Sequence, residues 1–177
     1  MFTHEGLFET LLSTVREMFH VAPELRDPRA IPVLLKGHAL GVKGIILDFG
    51  PRAVLPHTLA CVFSPETLEW HLASCLHVLS IIVALWGESI DDKTLVRIRD
   101  MTAARLERPS RRTLVPLSRL AVAIGWDEEL EALMREQIQQ IQEVGWEWMR
   151  EILQNELDSK ESAYIEKHRE RYAGVPF

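Results

Sequence analysis

The chain has 177 residues, 47% of them apolar and 26% charged, with a formal net charge of −6. That composition excludes an intrinsically disordered chain, and the acidic balance opposes binding to nucleic acid or to an anionic membrane surface. Its two cysteines, Cys61 and Cys75, are too few for a disulfide framework, so a reducing, cytoplasmic setting is the expectation.

Residues 3–20 predict an amphipathic helix. Thr3 suits the N-cap, and Leu7, Leu11, Leu12, Val15 and Phe19 recur at helical spacing. The same stretch has acids early and no unbroken apolar run, unlike a secretory signal. "APELRDPRAIP" then interrupts the pattern with three prolines, which marks a connection.

Residues 30–64 carry Gly37, Gly41, Gly44 and Gly50, together with Pro51, Pro56 and many β-branched residues. "GIILDF" and "TLACVF" predict short strands turned at Gly50-Pro51, with a helix over residues 29–40 as the rival for the first part. A small β-hairpin or irregular sheet near residues 42–64 is therefore expected.

From residue 65 the pattern is helical. In "SPETLEW", Ser64 reads as an N-cap and Pro65 as the first helical position. This helix ends at Gly87. A second begins near "SIDDKTL" and stops before Pro109, and a third covers residues 111–124 in spite of Pro116. Asp127 then opens a helix extending to Leu157, followed by a polar tail helix over residues 158–177. The expected architecture is mainly α: one helical, bundle-like domain over residues 1–177 with a long C-terminal helix.

The long helix carries the first functional expectation. Met134, Ile138, Ile141, Gly145, Trp148 and Ile152 alternate steps of four and three, a heptad seam of under three heptads. Trp146, Leu153 and Leu157 form another apolar face. A straight helix here would be roughly 45 Å long, more than a small core covers. The seam therefore predicts contact with a protein partner, a homodimer being the commonest form. The expected function is a non-enzymatic protein-interaction or self-association module.

Two further expectations concern chemistry. "HLASCLHVLSIIVALW" (residues 71–86) holds His71, Cys75 and His77. At 100° per residue, His71 and Cys75 share one face with Leu68, Ile82 and Trp86, whereas His77 points elsewhere. His71 and Cys75 are thus the candidate metal or ligand pair, to be completed by a distant residue such as His57 or Cys61. A helical sensor or carrier built on residues 65–86 is the alternative function, and an enzyme with its site near Asp48, His57 and Cys61 is another. No motif specifies a cofactor and none is expected. The uncharged run from Trp70 to Gly87 is near bilayer length, but its histidines and serines and the absence of flanking basic residues favour a buried core helix. Arg108, Arg111 and Arg112, in "RPSRRT", form a candidate anion patch.

Overall fold

The computed structural model describes residues 28–35, 39–141 and 146–177. The predicted helix over residues 3–20 and the seam position Gly145 lie outside them. After a 3-10 turn at Pro28–Ala30 come α1 (Ile31–Leu35), α2 (Ala39–Phe49), α3 (Pro51–Phe63), α4 (Glu69–Trp86), α5 (Asp92–Leu106), α6 (Leu114–Ile124), α7 (Glu128–Gln140), α8 (Glu147–Ser159) and α9 (Ala163–Arg169). The mainly helical architecture is as expected.

α4 is the axis of the bundle. It buries Leu72, Cys75, Leu76, Val78, Leu79, Ile81, Ile82 and Val83. A helix apolar over most of its circumference needs neighbours on several sides, and α4 packs against α2, α3, α6 and α9. The segment Glu69–Ser89 is long and apolar enough to cross a membrane by length and composition, and 56% of its most apolar window is buried within the domain.

No strand is found among the described residues, which corrects the hairpin expected near residues 42–64. On α3, Val54, Leu55, Thr58, Cys61 and Val62 are buried. That spacing is a helical stripe, and packing along it overrides the β-branched composition. Gly50-Pro51 does turn the chain, but between two helices. Gly50 takes φ 79°, a conformation that favours glycine, and Pro51 sits in the first turn of α3, where no N–H is required.

"SPETLEW" also differs from expectation. Ser64 closes α3, its N–H bonding the Cys61 carbonyl, and α4 begins only at Glu69 with Leu68 as its cap residue. The Ser64 hydroxyl accepts from the Glu66 N–H at 3.3 Å, so this serine stabilises a local turn in the connection instead.

The long helix over residues 127–157 is two helices. Asp127 caps α7 as expected, accepting from the Leu130 N–H at 2.9 Å. Ile141 then leaves the helix at ψ 91°, and α8 restarts at Glu147. A straight helix cannot lay two apolar faces on one small core. The break lets α8 bury Met149, Leu153 and Leu157 while Trp148, on the predicted seam, stays 53% exposed.

The predicted tail helix is shorter too: Lys160, at φ 55°, interrupts the chain before α9. The C-terminal segment is tied down by buried polar groups. Glu156 accepts from the hydroxyls of Ser118 at 2.5 Å and Ser162 at 2.9 Å. The Arg119 Nε lies 3.6 Å from the same carboxylate, and its guanidinium sits 3.8 Å above the Tyr164 ring. Trp86 donates to the Val175 carbonyl at 3.0 Å.

Candidate metal centre

The connection between α3 and α4 brings three donor side chains together. Cys61 lies in the last turn of α3, His71 in the first turn of α4, and Cys75 one turn further along α4. Residues four apart on a helix stack on one face, which aligns His71 with Cys75. The return of the chain through residues 64–68 places Cys61 opposite them. The Cys61 Sγ is 3.6 Å from the His71 Nε2, and the donor atoms of all three residues lie within 4.8 Å of one another. Cys75 is fully buried and Cys61 nearly so, while His71 is only partly buried.

Neighbouring groups hold this arrangement. Thr67 donates its hydroxyl to the Cys61 carbonyl at 2.8 Å, and Arg105 donates to the next carbonyl, that of Val62, at 2.8 Å. Together they pin the end of α3, where the last carbonyls lack helical partners. The Cys61 thiol is held below its ordinary range, chiefly by a hydrogen bond from Cys75; burial opposes this, and Thr67 and the Arg105 charge add to it. The Cys75 thiol is pushed up, first by its bond to Cys61 and then by burial and the Cys61 charge. The two neighbouring thiols are thus shifted in opposite directions, Cys61 down and Cys75 up.

The sequence-predicted residues divide. His71 and Cys75 do share a face, and of the two proposed completing residues Cys61 joins them; neither His57 nor Asp48 belongs to the group. His77 lies on another side of α4, 3.3 Å from Arg119 and beside the Tyr164 ring. Arg105 and Thr67 carried no sequence signal for this site, because their role depends on carbonyls at the end of a helix not anticipated there.

Along the predicted seam, Met134 and Ile138 are buried in the core, Ile141 is partly buried against it, Ile152 is half-buried and Trp148 is exposed. The Trp148 ring stacks on Trp146 at 6.1 Å. The anion-patch residues Arg108, Arg111 and Arg112 are all exposed, and the Arg111 guanidinium lies 4.7 Å over the Trp146 ring. Arg111, Gln137, Trp146 and Met149 border a cavity of about 220 Å³. No family model, curated protein or solved structure matches the chain, so the chemistry of its own side chains carries the functional reading.

Proposed function

We propose that this domain is a metal-responsive helical module that holds a thiophilic ion between α3 and α4. The observation that carries the reading is the approach of three donor atoms, two sulfurs and one imidazole nitrogen, to within 4.8 Å of one another. Thiolate with imidazole is a donor set for zinc or copper(I), and it disfavours calcium or magnesium, which take oxygen ligands. Closing the α3–α4 connection around an ion stabilises the bundle near its central helix, so metal occupancy is coupled to the stability of the fold.

The test is metal analysis of protein purified under reducing conditions, stripped with chelator and reloaded with zinc. One zinc per chain is expected, with loss of binding in Cys75→Ala and weakening in His71→Ala, and no change in His77→Ala. A zinc-free protein carrying a Cys61–Cys75 disulfide would replace the metal reading with a redox one.

A second reading, self-association as a homodimer or docking of a protein partner, is supported by Trp148, an aromatic anchor 53% exposed on α8. Light scattering of the wild type and of Trp148→Ala tests it: a dimer that becomes a monomer in the variant supports the reading, and a monomeric wild type removes the homodimer.

A further inference from the structure

We infer that Cys61 and Cys75 make the metal site a redox switch: hydrogen peroxide joins their sulfurs in a disulfide and expels the ion, and a dithiol reductant restores the site. The inference rests on the metal reading and adds its regulation. The two sulfurs lie within 4.8 Å of each other. Both are free thiols, and the chain has no other cysteine, so only one disulfide can form within it. Cys61 sits in the last turn of α3, just before the chain leaves the helix at Ser64, whereas Cys75 lies in the body of α4. Closing the gap to the roughly 2 Å of an S–S bond therefore calls for movement at a helix end and leaves the central helix in place.

Cys61 retains 9% exposure and Cys75 none, so Cys61 is the first to meet a dissolved oxidant. Its sulfur attacks one peroxide oxygen: an S–O bond forms, the O–O bond breaks, and the departing hydroxide takes up a proton and leaves as water. The Cys75 sulfur then attacks the Cys61 sulfur. The S–S bond forms, the S–O bond breaks, and a second hydroxide leaves as water once protonated. Two thiolates, one peroxide and two protons thus give one disulfide and two waters. The sulfurs lose two electrons and the peroxide gains them; zinc, which has no redox chemistry, takes no part. The nearness of Cys75 favours this closure over a second attack by peroxide, which would carry Cys61 on to the sulfinic acid. A disulfide is not a thiolate ligand, so the ion loses two donors whatever else completes its coordination, and His71 is left without them.

The test treats zinc-loaded wild type with hydrogen peroxide in the presence of a zinc-sensitive dye, and reads the intact mass after free thiols are blocked in denaturant. One zinc released per disulfide formed is expected, in a chain lighter by about 2 Da for the two thiol hydrogens lost. A dithiol reductant with fresh zinc is expected to return both the mass and the metal. His71→Ala keeps both sulfurs but holds zinc less tightly, so it is expected to form the disulfide severalfold faster than wild type at the same zinc concentration; His77→Ala is expected to match wild type. Zinc that stays bound through the treatment overturns the inference and leaves the metal reading standing. So does zinc release that yields a sulfinic acid, or a disulfide between two chains, in place of the Cys61–Cys75 bond. A reduced wild type that takes up no zinc overturns both.

Discussion

Cys61 and Cys75 are similar side chains placed in different company. Its bond to Cys61 and then burial raise Cys75, while hydrogen bonds and the Arg105 charge lower Cys61. An ion that takes both thiolates must displace the protons they still carry. The expected outcome is zinc affinity that rises with pH between 6 and 8, by about tenfold per pH unit for each proton released. Competition against a chelator of known pH dependence measures it; affinity flat over that range would mean that the sulfurs are not the ligands. The residue scale also fixes the opening of α7. Asp127 accepts from the Leu130 N–H and pairs with Arg99 at 2.7 Å. Asp127→Ala is expected to cost about 1 kcal/mol in urea unfolding. The Asp127 carboxyl is held below its ordinary range, first by the Leu130 N–H and then by Arg99. Its contribution is therefore present above the unfolded carboxyl pKa and is lost as pH falls through the lower folded one. The stability difference between wild type and Asp127→Ala should accordingly shrink in strong acid. The Asp127 cap was legible in the sequence, because an N-cap is a local hydrogen bond needing only its own helix.

Among the elements, α8 and α9 depend on one buried carboxylate. Glu156 is 5% exposed and takes two hydroxyl hydrogen bonds, with Arg119 beside it. Removing the cation leaves a buried charge without its counter-ion. Arg119→Ala is therefore expected to destabilise the domain by about 3 kcal/mol and to admit protease to the segment after Lys160 before the rest of the chain. Cleavage appearing first elsewhere would mean that the pair does not hold this segment. The elements show where periodicity misleads. Met134, Ile138 and Ile141 do form an inward stripe, but only to the end of α7; on α8 the buried stripe is Met149, Leu153, Glu156 and Leu157. A heptad count assumes one uninterrupted helix, and here each half turns a different face to the core. The hairpin near residues 42–64 failed for a related reason. Ile45, Ile46, Val54 and Val62 suit strands by type, yet α2 and α3 bury all four against the rest of the bundle.

For the whole molecule, α4 carries the consequences of any change. Leu79 is fully buried on it, and Leu79→Ala is expected to cost about 3 kcal/mol through lost transfer energy and the cavity left behind. Metal at the α3–α4 connection should act in the opposite direction. Zinc at a hundred times its dissociation constant is expected to add about 2.7 kcal/mol, read as a rise in the midpoint of thermal unfolding that Cys75→Ala abolishes. The sequence alone determined the helical class, where α6 ends, the Asp127 cap and the sharing of one face by His71 and Cys75. Each of these depends on backbone hydrogen bonds and on the 100° rotation per residue, which act within one segment. Only the tertiary structure decided that α3 is a helix, that the chain breaks after Gln140, and that Cys61 is the third donor. Those outcomes depend on which apolar faces a core of this size can bury together, a property of the packed assembly that no single segment encodes.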